Sequence, residues 1–215
     1  EETPARAMLA LPSPVMRAEP VDDRATMRER RWRAFVSTFT PLERKIHTAL
    51  RGNGKQLGGY LGALRDEVLA NLKRSQRGLQ EDIDAILFNP RTAAKKLRAL
   101  TAPYFEQAVR IGSSGAAAEL GATPLGIEAP GMAAFLETKQ IKVVQINDTI
   151  REALRTTIGE GMSAGENTTD LALRIRETFN ASASRARTIA RTEVATTING
   201  SRFLELSVQG VEEHE

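Results

Sequence analysis

The chain of 215 residues contains no cysteine and only two histidines. The absence of thiols excludes disulfide bonds and thiolate zinc sites. The histidines, His47 and His214, lie far apart in the sequence and have no companions at metal-ligand spacing, so we predict no metal site. The sequence also has no apolar run of 18 residues, and we therefore expect no transmembrane helix.

The sequence lacks the motifs of common enzymes as well. It has neither a Ser-His-Asp set nor a GxSxG nucleophile elbow. Residues 52–55 (GNGK) are rich in glycine and include a lysine, but a strand before them and the Lys-Ser/Thr ending of a phosphate-binding loop are missing. We therefore predict a protein that is not an enzyme and that binds no cofactor.

Aromatic residues make up only 5% of the chain, and runs of β-branched residues are nearly absent, whereas alanine and leucine are abundant. This composition favours helices over strands. We predict a mainly α fold of elongated helical hairpins or a bundle, with little or no β structure. The formal net charge is +3 and the pI is about 9.4, which permits contact with nucleic acid without requiring it.

Prolines and glycines indicate the domain organisation. Four prolines lie within residues 1–20, where they favour an extended arm that we expect to become ordered only on a partner. Residues 121–131 contain two prolines and three glycines and are predicted to be a linker. The predicted division is an arm at residues 1–20, a helical domain at 21–121 and a second helical domain at 122–215.

Several local signals predict where helices begin and end. A helix is expected over residues 22–39, and Thr40 with Pro41 resembles the start of a new one. Asn89 followed by a proline predicts another helix start. Pro103 should kink or end the helix that contains it, and residues 142–144 are expected to form a brief extended segment.

The last predicted helix runs from Ser184, a suitable N-cap, to Gly210, a suitable residue just beyond the C-terminus. A helical wheel places a set of small and apolar residues on one face, which we expect to pack closely against another helix. These residues are Ala186, Ala190, Thr197, Leu204 and Val208, with Ile189 and Val194 at the flanks.

Glu193 projects from this packing face among the alanines. A buried carboxylate needs a partner because an unpaired charge is costly to desolvate. We predict that Glu193 is part of a structural polar lock with its neighbours Arg191 and Thr192, and that it pairs with Arg174 or Arg176 of the preceding helix. A catalytic role for Glu193 is the less favoured alternative.

Arginines form a stripe beside the packing face, at Arg187, Arg191 and Arg202. The first helix carries further arginines, including Arg28 and Arg31. Arginine pairs well with phosphates and carboxylates, so these side chains are candidate contacts for nucleic acid or an acidic partner. The alternative is a solvated surface whose charge is balanced by nearby carboxylates.

Part of the last helix resembles the signature of the phage Mu F-like head-morphogenesis family, the minor head proteins. The matching residues are Arg185-Ala186, then Ile189-Ala190-Arg191-Thr192-Glu193, then Asn199-Gly200. The resemblance covers roughly residues 130–215, and the strand-rich segment that follows the motif in the family is expected beyond Glu215.

The resemblance implies a structural virion protein of a bacteriophage, located inside the head at the portal vertex and in the host cytoplasm during assembly. It implies partners among the portal and other head proteins, and roles in head morphogenesis, capsid assembly, DNA packaging and DNA ejection. Residues 21–121 would then dock on the portal or link to it, as in portal fusions. The alternative is a DNA-binding module that uses the arginine-rich face.

Overall fold

The computed structural model describes residues 23–75 and 83–210, which belong to two compact units, Glu1–Pro41 and Leu42–Glu215. The described residues are mainly α and include no strand, which confirms the predicted fold class. The predicted arm at residues 1–20 lies outside them. The helices are α1 (Asp23–Arg74), α2 (Ile83–Ile86), α3 (Pro90–Leu120), α4 (Pro130–Ser163) and α5 (Thr168–Val208).

The helices are longer than the sequence predicts. Helix α1 continues through Pro41, α3 through Pro103, α4 through residues 142–144 and α5 through Ser184, so no helix ends or begins at any of these four places. A proline inside a helix costs about 3 kcal/mol, and β-branched residues are only weakly unfavourable in helices. In α4, Val143 is buried in the core, where tertiary packing outweighs its preference for an extended conformation.

The capping signals are better predictors than the proline signals. The side chain of Asn89 accepts hydrogen bonds from the backbone N–H groups at the start of α3, as predicted. Gly121 ends α3 at a φ of 63° and Gly210 follows α5 at a φ of 79°, which is the left-handed conformation that glycine adopts without strain. Asn167 caps α5 in the same way as Asn89 caps α3.

The core of the second unit contains residues from both sides of the predicted boundary at residue 121. The regularly spaced leucines of α1 and the apolar faces of α3, α4 and α5 all contribute to it. Representative members are Leu57, Leu61, Leu64, Val68, Leu97, Phe105, Leu154, Ile158, Ile175 and Phe179. Residues 121–129 are therefore a connection within one compact unit, which corrects the predicted division between domains at this point.

A polar contact joins three of these helices. The hydroxyl of Tyr60 on α1 lies 2.9 Å from the carbonyl oxygen of Ala93 on α3 and 3.0 Å from Oδ1 of Asn147 on α4. Burial raises the pKa of Tyr60 to about 12, because it disfavours the charged phenolate. The contact fixes the position of α1 against α3 and α4, and thereby positions the outer surface of α1 beside α5.

Candidate functional site

Helix α5, which carries the family-like motif, buries one continuous face. The predicted members Ala186, Val194 and Thr197 lie in it, but Leu204 is only half-buried and Val208 is 65% exposed. Helix α5 packs against both α3 and α4, and near its end Glu205 contacts Ser113 of α3. The buried residues of α5 are Leu171, Ile175, Phe179, Ala186, Val194, Thr197, Ile198, Ser201 and Glu205.

Glu193 lies at the edge of this face and is paired, but with a different residue from the predicted ones. Its Oε2 lies 3.2 Å from Nζ of Lys139 on α4, and the two side chains are 16% and 9% exposed. The ammonium group also donates to Thr196 over 2.8 Å and lies 5.5 Å from the ring centroid of Phe135. The lysine thus exchanges water for three protein contacts, one of them a cation–π contact.

The predicted arginine partners were wrong because α5 is one helix rather than two. Arg174 and Arg176 lie about 25–30 Å from Glu193 along the helix axis at 1.5 Å per residue. Arg174 instead binds Glu166. The neighbouring Arg191 and Thr192 are exposed and take no part in the contact between Lys139 and Glu193, so within the described ranges the polar lock contains neither of them.

The same part of α5 approaches α4 closely at Gly200. A Cβ atom at this position would lie 2.4 Å from Cζ of Phe135, so a larger residue would require the aromatic ring to move. Ala186, Glu193 and Gly200, three residues of the family-like motif, therefore have packing roles in the structure.

We expect Glu193→Ala to lower the free energy of unfolding by about 2 kcal/mol, between the values for exposed and fully buried ion pairs. The reason is that Lys139 would keep its charge in a nearly buried position without a carboxylate. Urea unfolding measures the change, and Thr192→Ala on the exposed side is the control, expected within about 0.5 kcal/mol of the parent. Equal losses in both variants would contradict a specific role for the pair.

On another flank, α5 faces α1 across a basic groove of about 920 Å³. Helix α1 contributes His47, Arg51 and Lys55, and α5 contributes Arg187 and Arg191. These positions recur at spacings of four residues along each helix, which places each set on one helical face. The groove thus gathers two of the arginines predicted as contacts and three residues of α1 that were not predicted.

Among the residues that the structure describes, no carboxylate balances the charge of the groove. No carboxylate lines it, and no carboxylate within the described ranges pairs with Arg51, Lys55, Arg187 or Arg191. Four uncompensated cations in one concave surface concentrate a positive potential that attracts anions.

Glycine shapes the wall of this groove. The aliphatic part of Arg187 packs on Gly54, whose added Cβ would lie 3.5 Å from Cγ of the arginine. Gly58, one turn further along α1, also lines the groove. A Cβ at Gly58 would meet no atom within 4 Å, so the backbone of α1 is open at this residue and an extended anion can approach it closely.

The other predicted contact arginines do not join this groove. Arg202 forms a two-pronged ion pair with Glu119 of α3, in which one N–O distance is 2.7 Å. Arg202 is thus held by a carboxylate and offers less charge to a ligand. The side chains of Arg28 and Arg31 lie outside the described residues.

Sequence reasoning missed the buried carboxylate of Glu205, which is 0% exposed. It accepts hydrogen bonds from Oγ of Ser113 over 2.6 Å and from the backbone N–H of Leu125 over 3.0 Å, and Gln209 donates a third. Burial raises the pKa of the carboxyl, but these hydrogen bonds outweigh burial and leave the pKa below its usual value. Glu205 thereby fastens the 121–129 connection to α3 and α5.

The spacing of the buried residues along α5 could have revealed Glu205. Glu205 follows Ser201 by four residues and Ile198 by seven, and both of these residues are buried. A carboxylate at this spacing lies on the same buried face of the helix. What the sequence does not indicate is its partners, because Ser113 and Leu125 precede it by 92 and 80 residues.

Within the described ranges no three acidic or histidine side chains form a group suited to holding a metal ion, and no helix is long and apolar enough to cross a membrane. Comparisons with protein-family models, curated proteins and solved structures found no match. The likeness to the head-morphogenesis family therefore rests on the motif residues of α5 alone and stays a prediction.

Proposed function

We propose that this chain is a non-enzymatic structural component of a phage head, a minor head protein that acts with the portal in head assembly and in DNA packaging or ejection. The observation that supports the proposal is that residues of the family-like motif have two different roles, packing and lining of the basic groove. Ala186, Glu193 and Gly200 pack against neighbouring helices, whereas Arg191 of the motif lines the basic groove together with Arg187, which lies just outside the motif residues. A motif built in this way suits a scaffold that presents a charged surface to a partner.

The location in the particle can be tested directly. In particles of the phage that encodes this chain, with the heads opened so that antibody can enter, gold labelling is expected at a single vertex, the one that carries the tail, because the portal occupies that vertex. Electron microscopy of tailed and tail-less particles provides the measurement. Labelling spread evenly over all vertices, or absence of the chain from purified particles, would overturn the proposal.

The second candidate function is a DNA-binding module, and the basic groove favours it. Four cations without carboxylate partners line one concave surface. Binding phosphates there would release counterions from the DNA and relieve the repulsion among the cations. This function is compatible with a head component but does not depend on it.

Salt dependence tests the groove. The parent should bind duplex DNA with a steep negative slope of log K against log salt, at about 0.9 per phosphate neutralised. Replacing both Arg187 and Arg191 with glutamine should reduce this slope by about two. Fluorescence anisotropy at several salt concentrations measures it.

The matched control is Arg202→Gln on the same helix, because Arg202 is already held by Glu119. This variant should keep the parent's slope. If it weakens DNA binding as much as the groove variant does, the groove is not the DNA site, and a parent that binds no DNA at low salt rules out the module altogether.

A further inference from the structure

A second groove lies between α4 and α5 and shares none of its lining residues with the basic groove. Its volume is about 780 Å³. Near one end the helices are tied by Lys139 and Glu193, and near the other Oγ1 of Thr178 lies 3.4 Å from Oγ1 of Thr157. Between these two points α4 and α5 leave an open trough.

The trough has an apolar floor of helical length. Its lining residues extend over residues 142–153 of α4 and 178–193 of α5, or about 17 to 23 Å at 1.5 Å per residue. This length matches three to four turns of a helix. Its apolar lining residues are Ala153, Ala181 and Ile189, which keep exposed surface, and Ile146, Ile150 and Ala186, which belong to the buried core.

The charged residues along the trough have a net positive charge. Lys142 on α4 and Arg185 on α5 are exposed, and no carboxylate of the described residues pairs with either. Glu193 is the single acidic residue of the lining, and its charge is met by Lys139. An occupant therefore meets a cation on each wall above an apolar floor.

We propose that this trough binds an amphipathic helix of a partner protein whose apolar stripe is flanked by acidic residues. Helices that dock in grooves insert apolar side chains at spacings of three and four residues. Charges beside the stripe select the partner and its orientation. Acidic residues on both sides of the stripe pair with Lys142 and Arg185, whereas basic residues at the same places are repelled.

Two labelled peptides of about 16 residues provide the probe. Both carry leucines at i, i+3, i+4 and i+7, and one has glutamates beside the stripe where the other has lysines. Fluorescence anisotropy with the full chain should show that the acidic peptide binds at least about tenfold more tightly. Equal affinity of the two peptides would overturn the proposal.

Variants locate the binding. Thr149→Trp fills the trough from an exposed position of α4 and should weaken binding of the acidic peptide at least about tenfold. Thr192 is an exposed residue of α5 that lines neither groove. The Thr192→Trp variant should therefore bind the acidic peptide like the parent. Thermal melts confirm that both variants fold. If the two variants bind alike, the peptide does not occupy the trough.

Charge reversal tests the role of the two cations beside the trough. The double variant Lys142→Glu with Arg185→Glu should prefer the basic peptide, which inverts the parent's preference. Neutralising Arg187 and Arg191 in the basic groove should leave acidic-peptide binding unchanged. Loss of binding in that variant instead would assign the peptide to the basic groove and refute the trough as its site.

Discussion

Glu205→Ala is expected to lower the free energy of unfolding by about 3–4 kcal/mol. The substitution leaves the N–H of Leu125 without its acceptor in a partly buried place, and a buried polar group without a partner costs about 1–3 kcal/mol. The hydroxyl of Ser113 retains only a weaker contact with the carbonyl oxygen of Leu125 at 3.3 Å. The cavity left by the side chain adds to the loss. Urea unfolding at neutral pH measures the change.

Two further variants separate the hydrogen bonds from the charge. Glu205→Gln keeps an oxygen that can accept from Leu125, so it should lose less stability than the alanine variant. Glu177→Ala removes an exposed carboxylate of the same helix and should stay within about 0.5 kcal/mol of the parent. If the Glu205→Ala and Glu177→Ala proteins have the same free energy of unfolding, the buried carboxylate contributes no stability.

The lowered pKa of Glu205 also sets a pH dependence. A carboxyl whose pKa is lower in the folded state than in the unfolded state stabilises the fold fully above its unfolded pKa. This contribution is lost as the pH falls through the lowered pKa. The parent should therefore lose more stability on acidification than Glu205→Gln, and parallel pH profiles for the two proteins would contradict the assignment.

Gly112→Ala is expected to lower the free energy of unfolding by about 3 kcal/mol. This loss is at the upper end of the usual cost of inserting an extra methyl group into a packed core. A Cβ at this position would lie 2.2 Å from the carbonyl oxygen of Ile198 and 2.1 Å from Oγ of Ser201. The first contact is with backbone, so α3 and α5 must separate to admit the methyl group. Thermal and urea unfolding measure the loss.

Gly115→Ala on the same helix is the matched control and should change stability in the opposite direction. A Cβ there meets no atom within 4 Å, and alanine is favoured over glycine inside a helix by up to about 1 kcal/mol. If both alanine variants raise the free energy of unfolding, helix propensity, rather than the close approach at Gly112, decides the outcome.

The sequence predicted the helical class and several helix ends because those depend on neighbouring residues. Asn89 and Gly121 act through groups within one turn of the chain. The continuity of α3 and α4 could not be predicted in this way. Pro103 and residues 142–144 carry local signals against a straight helix, and burial of residues such as Val143 against distant helices outweighs those signals.

The candidate sites show the same limit. The exposed and buried sides of α5 follow largely from the 3.6-residue period, so Arg187 and Arg191 were correctly assigned away from the packing face. The partner of Glu193 was not predicted, because Lys139 lies on another helix, 54 residues earlier. The basic groove likewise needs Arg51 and Lys55, which only the packing of α1 beside α5 brings into position.

The separation of these contacts along the chain has a consequence for the order of folding. Helices α4 and α5 are joined by residues 164–167 alone, so their pairing closes a short loop at low entropic cost. The contact between Ser113 and Glu205 spans 92 residues, and we expect it to form after the transition state. Substitutions at Gly112 and Glu205 should then mainly accelerate unfolding, whereas loss of the Lys139–Glu193 contact should slow folding.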